Sequence, residues 1–254
     1  VWLWLEGMML PKLKHAFTVN RSIAAEYEKQ YDLRMGVIRN VPSRMVWPPA
    51  LPTRSQLNLP DGKTLIVLQG AGINSAYGIS LADGRTLTVD NSGSSLFSGV
   101  VSGTGASLAK QGAGVLTLTG TNTYTGGTSL DAASTLVVGN GTAVGALGTG
   151  NIVNNGVLSF KQSDAMTIAD VISGTGIVKQ EGSGTLTLSA TNSYAGGTQV
   201  NAGTLAISTD RNLGAEPASF DADNISLNGG ILQFMTGFTT LHANRGITLG
   251  AGNG

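Results

Sequence analysis

Cysteine is absent from the 254 residues. That excludes disulfides and thiolate metal sites, and it spares the chain from being trapped by oxidation on export. Charge is scarce: Asp, Glu, Lys and Arg make up 12 % of the chain and cancel to a net charge of zero. No field of one sign is available to attract nucleic acid or an acidic membrane surface. The only two histidines, His15 and His242, lie in different segments. With no thiol to join them, a zinc site or a catalytic triad is not expected. The opening VWLWLEGMML is too short to span a bilayer and carries Glu6. It has neither a basic leader nor a small-residue cleavage site, so it reads as a strand or helix remnant and not as a signal peptide.

What is present divides in two. Residues 1–79 hold all three Trp, six of the seven Pro and only six of the 37 Gly. Residues 80–254 hold 31 Gly and a single Pro. We therefore expect a small N-terminal α/β fragment over 1–79 and a repeat array over 80–254, the junction falling between Asn74 and Leu81.

Within the first part, HAFTVN (15–20) and MGVIRN (35–40) have strand patterns, and RSIAAEYEKQY (21–31) has a helical one. Ser22 is placed to cap that helix, and Glu26 and Glu28 sit early in it, where its dipole favours them. Both carboxylates read as a solvated helix face and not as an acid–base pair. A proline-rich connection follows, then the apolar KTLIVLQGAGIN (63–74), which ends in a glycine turn. AFTVNRSIAAEYEKQYDLRMGVIRNVPSR (16–44) and LPDGKTLIVLQGAGIN (59–74) together resemble a piece, residues 12–74, of the two-domain nucleotide-sugar glycosyltransferases. The resemblance implies that Gly70 and Gly72 form the turn that approaches a donor diphosphate. It stops there, and both halves of a donor site are incomplete. The alternative function is thus an inactive transferase fragment fused to the repeats, a chimera of two reading frames.

The second part repeats itself. GAGVLTLTGTNTYTGGTSL (112–130) returns as GSGTLTLSATNSYAGGTQV (182–200). The likeness extends over 98–138 and 169–207, with partial copies beginning near 84 and 224. Inside each copy the period is two: Leu116 and Leu118 alternate with Thr117 and Thr119, and Leu186 and Leu188 with Thr185 and Thr187. Such alternation is that of strands with one apolar face. Short strands between glycine turns at a long fixed period predict a mainly β fold, a right-handed parallel β-solenoid. One period suits three turns of roughly 23 residues each.

The phrase, with VISGTG ahead of it and NGGILQF behind, resembles the passenger-associated β-strand repeat of bacterial autotransporters over nearly all of 80–254. The resemblance implies a secreted or outer-membrane surface protein, the β-helical passenger stalk, structural or adhesive and without catalysis or cofactors. It implies partners among host or cell-surface glycans or proteins, not nucleic acid. Membrane contact would come only through a C-terminal barrel that this sequence does not contain. The last rung, if open, is expected to favour edge-to-edge self-association.

Candidate site residues weigh towards structure. Tyr124 and Tyr194 hold equivalent places and could stack on a glycan, but packing at a corner of the rung is the expected role. Asn122 and Asn192 read as turn formers. Asp83, Asp90, Asp131, Asp164, Asp170 and Asp210 lack the spacing of a calcium repeat, so no metal is expected.

Overall fold

A computed structural model of the chain describes residues 78–250, Ala76, and the backbone of the strands at His15–Thr18, Arg34–Val37, Leu65–Gln69 and Asn74–Ser75. The expected helix at 21–31 and the glycines Gly70 and Gly72 lie outside the described residues. The chain forms two units, Val1–Lys63 and Thr64–Gly254. In the first, His15–Thr18 pairs in parallel with Arg34–Val37. The strand Leu65–Gln69, which the sequence pattern grouped with the N-terminal fragment, pairs with Thr86–Asn91 and begins the solenoid of the second unit.

All strand pairs of the second unit are parallel, and the chain reaches each partner by one circuit of the solenoid. One face is a six-stranded sheet that includes Thr86–Asn91, Ser107–Gln111, Thr128–Leu130, Ile152–Asn154 and Ile172–Ser173. The next is a nine-stranded sheet that includes Ser94–Phe97, Val115–Leu118, Thr135–Val138, Val157–Phe160, Ile177–Gln180, Thr198–Val200, Asp221–Leu227 and Arg245–Leu249. The third face holds the pair Ile79–Ser80 and Val101–Ser102, then a four-stranded sheet of Met166–Ile168, Thr185–Leu188, Thr204–Ile207 and Ile231–Phe234. Among the described residues there is no α-helix; a single 3-10 turn occupies Asp210–Leu213.

Alternation decides what goes inside. Leu116, Leu136, Leu158 and Val178 are register partners on successive turns and are all buried, forming one apolar column. Leu186 and Leu205 do the same on the third face. Each such side chain removed from water contributes roughly 1.5–3 kcal/mol. Thr117 and Thr187 lie on the opposite side of their strands and stay partly exposed. Corners need glycine where turns crowd: Gly127 and Gly197, at matching places, take φ of +88° and +83°.

The turns are shorter than the sequence period suggested. Ser94 and Val115, Val115 and Thr135, Thr135 and Val157, and Val157 and Ile177 are register partners on successive turns. Their spacing makes one circuit about 21 residues, at the short end for solenoid repeats. One copy of the repeat is therefore three turns and about one face more. Ser107–Gln111 lies on the six-stranded sheet, but its equivalent Ile177–Gln180 lies on the nine-stranded one. Val115–Leu118 lies on the nine-stranded sheet, and its equivalent Thr185–Leu188 on the four-stranded one. Each copy is the same structure turned by one face about the solenoid axis. This is possible because a parallel stack asks only for inside–outside alternation and a tight corner, which all three faces supply.

A deletion tests this. Removing the segment 112–181 joins two near-identical contexts and should leave a shorter, still stacked solenoid. Everything downstream then moves round by one face, and Thr187 takes the place of Thr117 beside Leu96. Leu96→Cys with Thr187→Cys should form a disulfide in the deletion variant and not in the full chain, because adjacent strands meet the distance a disulfide needs. The cysteine-free background makes the reading clean. Crosslinking in both chains, or in neither, would refute the turned repeat.

Candidate functional site

The repeated phrase builds a corner bracket in each copy. Asn122 Oδ1 accepts the N–H of Val101 on the preceding turn at 2.7 Å, and its Nδ2 donates to the carbonyl of Ala146 on the following turn at 2.7 Å. Asn192 does the same between Ile172, at 2.8 Å, and Asn212, at 2.7 Å. One buried side chain thus completes the backbone bonding of three turns where the strand ladder stops. Tyr124 and Tyr194 are 0 % and 1 % exposed, so neither can stack on an external sugar. Each hydroxyl meets a threonine, Thr128 or Thr198, at 2.7 Å. From Thr121 to Leu130 the burial pattern recurs residue for residue from Thr191 to Val200, although the two corners lie one face apart.

Burial pushes the Tyr124 phenol up to about 12 and the Tyr194 phenol higher still. Unfolded phenols ionise near 10. Both tyrosines therefore contribute stability that is complete below about pH 10 and is lost as pH rises towards 12. Tyr124→Phe should make that alkaline loss shallower, as read from urea midpoints between pH 8 and 11.

One difference between the copies puts a charge inside the core. Both contain the pair Lys-Gln, but shifted by one position relative to the corner glycines. Alternation therefore turns Lys110 inward and its sequence match Lys179 outward. Lys110 is 0 % exposed. Its Nζ donates to the carbonyls of Gln111 and Gly112. Gln180 occupies the equivalent inward place and donates to Gly182 and Gly184 at 2.9 and 3.0 Å. Burial holds the Lys110 ammonium below its ordinary pKa, with Asp90 and Asp131 acting in the other direction. The unfolded chain binds the Lys110 proton more tightly, so this group's contribution improves as pH rises from its folded pKa towards 10.5. Lys110→Gln copies the chain's own solution. It should raise stability at neutral pH by on the order of 1 kcal/mol and abolish that pH dependence. A destabilised variant would show that the ammonium is required.

Exposed chemistry gathers elsewhere. The turn from Thr198 to its register partner Ile225 is longer than any before it. The excess forms a projection beyond Thr204–Ile207, carrying Asp210, Arg211, Glu216, Asp221 and Asp223 in a region otherwise poor in charge. Arg211, Gly214, Ala215 and Glu216 form one wall of a shallow cleft, and Thr191, Asn192 and Ser193 form the other. Arg211 Nε lies 3.6 Å from Glu216, and His242 Nε2 lies 3.9 Å from the same carboxylate. Asn212 anchors the base: its Oδ1 accepts the N–H groups of Ser208 and Thr209, both at 2.9 Å. Beneath the cleft the Arg245 side chain is fully buried and donates to Asp210 at 2.8 Å, Asn224 at 2.7 Å, and the carbonyls of Leu213 and Gly214 at 3.2 and 2.7 Å.

The repeated phrase now finds its relatives. Residues 108–138 and 179–207 match the passenger-associated-transport-repeat family. The chain is also similar to the adhesin BmaC autotransporter of Brucella suis biovar 1 (strain 1330), at 39 % identity over 233 residues. That alignment takes in 76 % of the chain and 6 % of the relative, so the chain spans a small part of that protein's length. No solved structure matches.

Against these passenger repeats, the sequence candidates fall into place. Asn122, Asn192, Tyr124 and Tyr194 are building elements of the repeat. Asp83, Asp131 and Asp164 are exposed, Asp170 accepts the Gly150 N–H at 3.1 Å, and Asp210 is taken up by Arg245. Among the described residues no three acidic, His or Cys side chains come together as metal ligands. His242 joins the projection, which the sequence reading did not single out. The one available signal was the density of charge after position 208 in a repeat array that otherwise has little of it. None of these comparisons supports the likeness of residues 12–74 to a glycosyltransferase.

Proposed function

We propose that the chain is part of an exported surface passenger, in which the solenoid is a passive scaffold and the projection at 208–223 makes adhesive contact. The observation that carries this is the coincidence of passenger repeats, over a parallel β-solenoid, with similarity to a protein named an adhesin. The scaffold performs no chemistry: Asn122 and Asn192 are buried and bonded to backbone, and Tyr124 and Tyr194 are buried and bonded to Thr128 and Thr198. The projection supplies what a contact surface needs, namely hydroxyls from Thr191 and Ser193 beside the charges of Arg211 and Glu216, held on a rigid base. Host-surface glycans or proteins are the partners this chemistry suits.

Displaying residues 64–254 on the surface of a non-adherent bacterium tests the reading. Binding to cultured host cells should rise several-fold over the undecorated strain. The double variant Arg211→Ala/Glu216→Ala should lose most of that gain with an unchanged melting temperature, since both side chains are exposed. No gain on display would overturn the adhesive role. A gain untouched by the double variant would move contact away from the projection.

A further inference from the structure

The sequence holds three Asn-x-Ser/Thr triplets: Asn20–Arg21–Ser22, Asn140–Gly141–Thr142 and Asn224–Ile225–Ser226. The first lies outside the described residues. The other two are placed very differently. Asn224 is 4 % exposed, its Oδ1 accepts from Arg245 at 2.7 Å, and its Nδ2 donates to Asp221 at 3.2 Å. A group attached to Nδ2 there would break the network under the projection. Asn140 stands in the connection that follows Thr135–Val138, between Gly139 and Gly141, which take φ of +83° and +90°. Asn140, Thr142 and Ala143 are exposed.

We infer that Asn140 is a glycosylation acceptor, modified at Nδ2 by a sugar carried on a diphosphate. The side chain is already set for this. Its Oδ1 accepts three hydrogen bonds: from the Thr142 N–H at 3.0 Å, the Thr142 hydroxyl at 3.0 Å and the Ala143 N–H at 2.7 Å. Three donors settle which end of the amide is oxygen, and so turn the NH₂ outward, where among the described residues it has no partner. They also draw electron density towards Oδ1, which makes the Nδ2 protons more acidic. Thr142 is the hydroxyl residue of the triplet, and its direct bond to the acceptor amide gives the spacing a physical meaning. The Gly141 N–H, bonded to the Lys161 carbonyl at 2.8 Å, pins the turn to the next circuit.

The step is a displacement at the sugar's anomeric carbon. Nδ2 forms a bond to C1, the bond from C1 to the diphosphate oxygen breaks, and the diphosphate departs with that electron pair. The Nδ2 proton passes to a base of the transferring enzyme. A nucleoside diphosphate sugar and a lipid diphosphate sugar offer the same leaving group. Whether the sugar is added before or after folding, only Asn140 of the two described acceptors can carry it in the finished solenoid. The connection that bears it follows the repeated phrase at the same point as the charged projection does in the second copy, one face away.

The test uses the full-length passenger released from the surface of its own host. Peptides spanning 136–160 are weighed before and after chemical release of N-linked sugar. The expected result is a sugar mass on Asn140, absent from the variant Thr142→Val, and none on Asn224. Blocking cytoplasmic nucleoside diphosphate sugar supply or lipid-linked supply in separate strains identifies the donor. An unmodified Asn140, a mass retained in Thr142→Val, or sugar on Asn224 in the folded protein would overturn the inference. The variant does not touch the core, so an unchanged melting temperature excludes misfolding as the cause of a lost signal.

Discussion

Arg245→Ala is expected to unravel the C-terminal turns while leaving the rest of the solenoid folded. The Arg245 side chain has no exposure and Asp210 little, and four acceptors depend on that one guanidinium. Removing it leaves the Leu213, Gly214 and Asn224 oxygens without this donor, and strips the largely buried Asp210 carboxylate of its counter-charge, with the His242 N–H still bonded to it. Breaking such a pair from one side costs about 3–5 kcal/mol. Each turn touches mainly its two neighbours, so the loss should stay local. Amide exchange should accelerate over 208–249 and remain slow over 107–180. Arg245→Lys should not rescue, because an ammonium cannot reach four acceptors spread around a planar fork. Uniform acceleration along the chain, or none, would contradict this account of what holds the projection.

Gly148→Ala is expected to be among the more damaging single methyl additions in the middle of the stack. A Cβ at this position would lie 2.1 Å from the Tyr124 carbonyl oxygen and 2.5 Å from the Tyr124 ring. Gly214 stands over Tyr194 in the same way, with 2.3 and 3.0 Å. Thr149 and Ala215, which follow these glycines, donate their N–H groups to those same tyrosine carbonyls at 2.8 and 2.9 Å. The methyl group must therefore push apart two turns that a hydrogen bond holds together. Overpacking costs roughly 1–3 kcal/mol when the neighbours can shift; here they are backbone clamped from both sides, so the upper end or beyond is expected. Gly84→Ala is the comparison: its φ is +68° and nothing lies within 4 Å, so it should cost only about 1–2 kcal/mol of backbone strain. The difference between the two melting temperatures measures the crowding. Equal losses would show that the corner yields.

Such corners explain how far the sequence could be read. Leucine alternating with threonine at 115–118 and 185–188 specifies a two-sided strand wherever it is placed, so the strands, their inward faces and the parallel stack were legible. The glycines and asparagines of the repeated phrase marked the corners for the same reason. The brackets that Asn122 and Asn192 form were not legible, since their partners lie a full circuit away on neighbouring turns. The corner packing of Tyr124 and Tyr194 was expected and is found, but not which glycine each ring would meet, because Gly148 and Gly214 lie about a circuit further on.

By itself the sequence determined the kind of object: alternation and a long fixed period leave a β-solenoid as the way to bury those leucines. Only the tertiary structure decided the pitch. Turn length is set by how tightly corners close, not by how often a phrase recurs, so the short circuits carry each repeat round by a face. The same geometry placed Lys110 inside and Lys179 outside, and gathered Asp210, Arg245 and the cleft above them from three separate stretches of chain. Such choices depend on which residues become neighbours one circuit later, and that distance is written in the stack and not in the string.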